Sequence, residues 1–195
     1  MTSWGDGRPV FQSDDRNRLL AIARRALEAR VRRDGDPPPE TGGALDTCCG
    51  AFVSIHRGDN LRGCLGRLET DWAIARVVAH LGRAVADSDP RFEPVTIDEL
   101  DELSIEISAL TPERDVRSIQ EIEIGRHGLI VERGSRRGLL LPQVATEHSW
   151  DVETFVSHTC LKAGLGAEAW RHDIRIAVFE AQVFSEYQDG RIALS

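Results

Sequence analysis

The sequence has no long hydrophobic run and almost no lysine. No apolar stretch approaches the roughly 18 residues that a membrane-spanning helix needs, so we expect no such helix. Residues 1–9 are polar and glycine-rich and lack the apolar core of a signal peptide, which predicts a cytoplasmic protein. Because Lys162 is the only lysine, nearly every positive charge is an arginine guanidinium group, which suits two-pronged contacts with carboxylates and phosphates.

Spacings typical of a zinc site are also missing. The chain contains neither Cys-x-x-Cys nor His-x-x-x-His, so we expect no metal and no cofactor. In the cytoplasm the four cysteines (Cys48, Cys49, Cys64 and Cys160) should remain free thiols. The net charge of −8 repels phosphate backbones and anionic lipid surfaces, so we expect neither nucleic acid nor a membrane as a partner.

The composition that remains is that of a globular domain. The 195 residues are 41% hydrophobic and 29% charged, which favours a single folded domain. We place it at residues 13–187, with terminal extensions at 1–12 and 188–195. Helical spacing of apolar residues predicts three long helices: one capped by Ser13 and ending near residues 34–35, one capped by Thr70, and one over 151–162.

Strand patterns lie between these helices. Residues 50–56 read as a strand that turns back at Gly58-Asp59-Asn60. In residues 103–109 apolar residues alternate with Ser104, Glu106 and Ser108, which predicts one buried face and one solvated polar face on which Glu106 needs no special role. Further strands are predicted over 129–132, 138–141 and 174–184, and Ser/Thr-x-x-Glu capping boxes begin at Thr96 and Ser118. Strands joined by hairpins and interspersed with helices predict an α+β fold with a mixed, largely antiparallel sheet and flanking helices.

The most distinctive local feature is the segment Leu61-Arg62-Gly63-Cys64-Leu65-Gly66. We expect a loop here between a strand and a helix start, because Gly63 and Gly66 permit unusual backbone angles and leave room for a ligand beside Cys64. A nearby positive charge would favour the nucleophilic thiolate form of the cysteine. The alternative is a buried structural cysteine in a tight turn, and the spacing alone leaves both interpretations open.

Five segments in order resemble the AMMECR family, which is named for the AMME-syndrome chromosomal region. They are Gly50–Val53, Leu61–Gly66, Asp89–Phe92, Leu141–Ala145 and Lys162–Gly164. Prokaryotic members of this family are called AmmeMemoRadiSam system protein A. The similarity covers residues 13–185, and Leu65 stands where isoleucine is common in the family.

The resemblance implies a compact α+β fold with two subdomains and a cleft around the cysteine loop. It also implies partners, because bacterial relatives are often encoded beside a Memo-like protein and a radical-SAM protein, which suggests a shared pathway. It brings no established reaction with it.

These observations favour a cysteine-dependent enzyme that acts on a small anionic or polar metabolite. Cys64 would be the nucleophile or acid–base group, with His148 or His127 transferring protons. The substrate would contact Arg62, Gly63, Gly66, Arg91 and Gln143. Arg91 has a second interpretation, in which it pairs with Asp89 to fix a turn. The alternative function is a non-catalytic ligand-binding or adaptor module that docks onto the Memo-like or radical-SAM protein.

Overall fold

A computed structural model describes residues 11–68 and 71–186 of the chain. It contains two units: unit 1 includes described residues 11–110 and 182–186, and unit 2 is Thr111–Ala181. Each unit has one four-stranded antiparallel sheet with helices beside it, which confirms the predicted α+β class. None of the described helices is both long and apolar enough to cross a membrane.

In its described residues, unit 1 has two α-helices and a sheet with the strand order β2-β1-β3-β8. Its elements are α1 (Ser13–Arg32), β1 (Ala51–Arg57), β2 (Asn60–Arg67), α2 (Ile74–Ala84), β3 (Leu103–Leu110) and β8 (Ala181–Ser185). Alternate residues of β1 (Ala51, Val53 and Ile55) point to one face of the sheet and are fully buried. The helices α1 and α2 cover that face, so this layer is the hydrophobic core of the unit.

Unit 2 has a sheet with the strand order β4-β7-β5-β6. Its elements are β4 (Arg114–Asp115), β5 (Gly128–Arg133), β6 (Arg136–Leu140), α3 (Pro142–Glu147), α4 (Val152–Lys162) and β7 (Arg175–Phe179). The predicted hairpin of β5 and β6 and the predicted helix α4 are confirmed. Phe155 of α4 is fully buried with Leu129 and Val131 of β5, so α4 packs over the sheet.

The predicted helix starts have different outcomes. Gln12, not Ser13, is the N-cap of α1, because the Asp15 carboxylate accepts a hydrogen bond from the Gln12 N–H. Thr70, the predicted cap of the second helix, lies outside the described residues, and α2 begins at Ile74. The capping boxes at Thr96 and Ser118 are confirmed, and each begins a short 3₁₀ helix.

The predicted cysteine loop is wrong. Leu61 to Gly66 lie within β2, which pairs antiparallel with β1 through the expected turn, with a one-residue register shift at Arg62. Neither Gly63 nor Gly66 has a positive φ, so the backbone is extended and not a strained turn. The reason is packing: side chains from neighbouring elements occupy the space that the two glycines leave.

Two further strand predictions need correction. Ser104 and Ser108 of β3 are buried, although we expected them on an exposed polar face with Glu106. The predicted final strand is two strands in different sheets, β7 and β8, which are separated at Glu180. At Glu180 the backbone N–H donates a hydrogen bond to the Thr111 hydroxyl at 2.8 Å. The alternation of the sequence continues through this residue, but β7 and β8 hydrogen-bond to strands of different sheets.

Candidate active site around Cys64

Cys64 lies on β2, an edge strand of the unit 1 sheet. On the paired side it stands opposite Ser54 of β1. On the open side the Cys64 N–H donates to Asp89 Oδ2 at 2.9 Å, and the Cys64 carbonyl oxygen accepts from Arg91 Nη2 at 3.3 Å. Because both backbone groups of Cys64 point away from β1, Cys64 and Ser54 form a non-hydrogen-bonded pair, in which side chains lie closest.

Asp89 and Arg91, which we call the edge clamp, occupy the open edge of β2. Asp89 is only 4% exposed, and it accepts from the Arg91 N–H at 3.1 Å, from Arg91 Nε at 2.9 Å and from Arg91 Nη2 at 2.7 Å. The Arg91 guanidinium group holds the pKa of Asp89 well below its usual range, although burial opposes this change. The pairing of Asp89 with Arg91, one of the two interpretations of the sequence, is confirmed.

Cys64 is one end of a line of three polar side chains across the sheet, which we call the thiol row. Ser54 stands opposite Cys64 on one side and opposite Glu106 of β3 on the other. Directly opposed side chains in an antiparallel sheet have Cβ atoms about 4.5–5.5 Å apart. All three residues are half-buried. A hydroxyl group therefore stands between a thiol and a carboxylate, which is a suitable order for passing a proton between them.

His56 lies two positions beyond Ser54 on the same face of β1, where strand alternation places it. Its Nε2 atom is buried and has no hydrogen-bond partner among the residues that the structure describes. An imidazole nitrogen without a partner beside the thiol row is a further acid–base group on this face. His56 was not among the site residues predicted from the sequence.

Side chains of neighbouring residues pack closely against the two glycines of β2. A Cβ atom at Gly66 would lie 2.2 Å from Cδ1 of the Phe52 ring, and one at Gly63 would lie 3.0 Å from Cγ2 of Val85. Phe52 stands opposite Gly66 in the register, next to the Ser54–Cys64 pair. The glycines therefore allow close packing on both faces of β2, and their contact with a substrate stays a prediction.

Arg62 holds a neighbouring segment of unit 1. It is the extra residue where the β1–β2 register shifts, because His56 pairs with Leu61 and Ile55 with Gly63. Its guanidinium group donates to Glu99 Oε1 at 2.8 Å and to Glu99 Oε2 at 3.1 Å. It also donates to the backbone carbonyl oxygens of residues 93 and 94. This geometry shows a structural ion pair, and the substrate contact of Arg62 stays a prediction.

The other three predicted site residues belong to unit 2. His127 is buried, its Nδ1 accepts from the Glu123 N–H at 3.0 Å, and burial lowers its pKa. His148 is exposed at the end of α3, and its ring stacks on Trp150 with centroids 4.8 Å apart. Gln143 lies in the first turn of α3, a helix that the sequence analysis missed after Pro142. The pairing of Cys64 with either histidine stays a prediction.

Ser54 and Glu106 are the site residues that sequence reasoning missed or set aside. Counting back from the hairpin turn at Gly58-Asp59 gives the partners of β1 and β2 only if the one-residue shift near Arg62 is known. Among the described residues no group of three or more histidine, cysteine or acidic side chains is placed to hold a metal ion. The chemistry available on this face is thus that of a thiol, a hydroxyl, a carboxylate and an imidazole.

Comparisons with known proteins find related sequences over most of the chain. Residues 20–184 match the AMMECR1 family. A protein from Thermofilum pendens is 44% identical and covers 86% of this chain and 88% of its own length. A protein from Methanopyrus kandleri is 41% identical, with 86% of each chain covered.

A solved structure shows the same fold. The crystal structure of the uncharacterized protein PH0010 from Pyrococcus horikoshii has a TM-score of 0.78 and 37% identity, and the match covers 86% of this chain and 89% of that one. With a family match over residues 20–184 and relatives above 40% identity across most of both sequences, this chain belongs to the AMMECR1 family.

Proposed function

We propose that this AMMECR1-family protein is a cysteine-dependent enzyme that acts on a small anionic metabolite, with Cys64 as the reacting group. The observation that carries the proposal is the thiol row, in which Ser54 stands between the Cys64 thiol and the Glu106 carboxylate. Cys64 is half-buried, both of its backbone groups are held by the edge clamp, and its strand pairs with β1. A fixed thiol costs little reorganisation when a reaction occurs.

Arg91 is the group that would bind the negative charge of the substrate. Its side chain is 57% exposed, although Nε and Nη2 bond to Asp89 and Nη2 also reaches the carbonyl oxygen of Cys64. Its Nη1 atom makes no hydrogen bond to any residue in the described part of the chain. A carboxylate or phosphate bound at this atom would lie beside Cys64, and charge-assisted hydrogen bonds of this kind are short and strong.

The thiol row supplies the proton path. Cys64 would give its proton to the hydroxyl oxygen of Ser54 as Ser54 passes its own proton to Glu106, which leaves a thiolate and a neutral carboxylic acid. The same path in reverse returns the proton at the end of the reaction. Glu106 thereby takes the role that the sequence analysis had given to His127 or His148. The implied pathway with a Memo-like and a radical-SAM protein is retained as part of this proposal.

The test compares two alkylating reagents that differ in charge. Iodoacetate is an anion and iodoacetamide is neutral, so the ratio of their rates at Cys64 measures local attraction of an anion. Mass spectrometry follows Cys64 and the exposed Cys48 in the same sample. We expect a higher ratio at Cys64 than at Cys48, and a decrease of about threefold in Arg91→Gln, the size of a partly exposed charge interaction. Arg91→Lys should restore the ratio.

The proton path has its own variant. Glu106→Gln should slow the reaction of Cys64 with both reagents alike, because it removes the group that accepts the proton. Glu102→Gln, which removes an exposed charge of the same unit, should leave the rates unchanged. The enzyme proposal fails if Cys64 reacts no faster than a buried thiol, or if neither Arg91→Gln nor Glu106→Gln changes its reactivity. That result would favour the non-catalytic binding or adaptor function.

A further inference from the structure

A groove of about 470 Å³ lies in unit 1 on the helix-covered side of the sheet, whereas Cys64 points to the other face. Its floor is formed by α1 and α2, through Ile22 and Ala26 on the first helix and Ala75 and Ala79 on the second. One wall is the segment 36–41 with its three consecutive prolines. This volume is within the range of small-molecule sites, which are mostly apolar with few polar groups.

Two sets of ion pairs hold the proline segment against the helices. Asp36 pairs with Arg83 of α2, and Glu40 pairs with Arg25 of α1 at 2.8 Å and with Arg18 at 2.7 Å. The prolines themselves have few accessible backbone conformations. The wall is therefore fixed at both of its ends, so a ligand would enter a groove that is already formed.

The charges along the groove do not balance. Three arginines and two carboxylates line it, and the pairs just described use Arg25 and Arg83. The side chain of the third, Arg76, makes no ion pair or hydrogen bond with a described residue. Its guanidinium carbon lies 3.9 Å from the centre of the Trp72 ring, which fixes the group while its N–H donors stay available. Since the first turn of α2 contains no acidic residue, the positive end of that helix adds to the same field.

We infer that this groove binds a small anion with an apolar or aromatic body, at a site separate from the thiol row. The body lies between the prolines and the α1–α2 floor, and its carboxylate, sulfonate or phosphate group accepts hydrogen bonds from Arg76. Charge complementarity selects the anion, because Arg76 is the lining arginine that no carboxylate pairs with in the described part of the chain. The apolar walls favour a ligand with an apolar or aromatic body. A small inorganic ion would lose part of its hydration shell between these walls, which costs free energy.

The test uses 8-anilinonaphthalene-1-sulfonate, an aromatic anion, and N-phenyl-1-naphthylamine, its uncharged analogue, with the native full-length protein. Binding of each is followed by the rise in probe fluorescence. Arg76→Gln should weaken the anion by at least about fivefold, the loss expected from one charge-assisted hydrogen bond, and leave the neutral probe unchanged. The matched control Arg32→Gln removes an exposed arginine from α1 and should change neither. Ala79→Phe fills the groove and should weaken both probes.

Circular dichroism and thermal unfolding establish that each variant is folded. The inference is overturned if the anion binds Arg76→Gln as tightly as the wild type, if Ala79→Phe binds both probes normally, or if the native protein binds neither probe. Alkylation of Cys64 should be unaffected by Arg76→Gln, so this result is independent of the proposed enzyme function.

Discussion

The pair of Arg62 and Glu99 allows a quantitative test of whether Arg62 is a structural residue. Both side chains are largely shielded, with 17% and 18% of their surface exposed. The pKa of Glu99 is lowered from 4.5 to about 2, mainly because the Arg62 guanidinium donates two hydrogen bonds to it. The backbone N–H of Thr96 adds to this change, and burial opposes it.

A lowered carboxyl pKa stabilises the folded state at neutral pH. At about 1.4 kcal/mol per unit of pKa, the difference between 4.5 and about 2 corresponds to about 3 kcal/mol of unfolding free energy. The unfolded protein binds the proton more tightly than the folded one does. This contribution is therefore complete above about pH 5 and is lost as the pH falls from 4.5 towards 2.

The assay is urea denaturation of wild type and Glu99→Gln at several pH values. We expect the variant to be less stable by about 3 kcal/mol at pH 7, with the difference shrinking towards zero near pH 2. Glu102→Gln is the control, because the Glu102–Arg57 pair is more than half exposed and should contribute less than about 1 kcal/mol. A difference that stays constant from pH 7 to pH 3, or one below about 1 kcal/mol at pH 7, would refute the structural role of Arg62.

Three further predictions concern the packing around the site. Asp89→Asn should lower the unfolding free energy by about 2 kcal/mol in urea, because it removes the charge from a buried hydrogen-bonded carboxylate. Gly66→Ala should cost about 1 kcal/mol or more, since its Cβ would overlap the Phe52 ring, whereas Gly35→Ala meets nothing and should be neutral. Cys49, whose pKa burial raises to about 12, should react with iodoacetamide at pH 8 only after unfolding, as mass spectrometry would detect.

Each of these has a clear contrary outcome. An Asp89→Asn variant as stable as the wild type would mean that the edge clamp does not hold β2. Equal stability of the Gly66 and Gly35 variants would mean that the Phe52 ring moves aside freely. Rapid labelling of Cys49 in the folded protein would contradict its burial.

Local signals in the sequence were sufficient for most of the elements. The strand-like run of residues 50–56 and the turn signal at Gly58-Asp59 predicted the first hairpin, because each depends only on neighbouring residues. The capping boxes at Thr96 and Ser118 were predicted correctly for the same reason.

The errors have a common cause, which is contact between residues distant in sequence. Glycines on both sides of Cys64 are typical of a turn, yet the close approach of Phe52 and Val85 explains them in a strand. Alternation placed Glu106 on the second face of β3 but gave no information about what lies opposite it. The neighbours of Cys64 depend on the register of three strands, and a one-residue shift decides that register.

The edge clamp fixes the position of the Cys64 thiol through a short segment of sequence. A strand is normally aligned by a whole run of residues on its neighbour, so its register depends on sheet order and on long stretches of sequence. At Cys64 two side chains from a three-residue segment provide the donor and the acceptor that a fifth strand would have provided. On its open edge, β2 is thus held in place by contacts at the single residue Cys64. These contacts occupy the edge that another strand could pair with, so the sheet ends at the strand that carries the thiol.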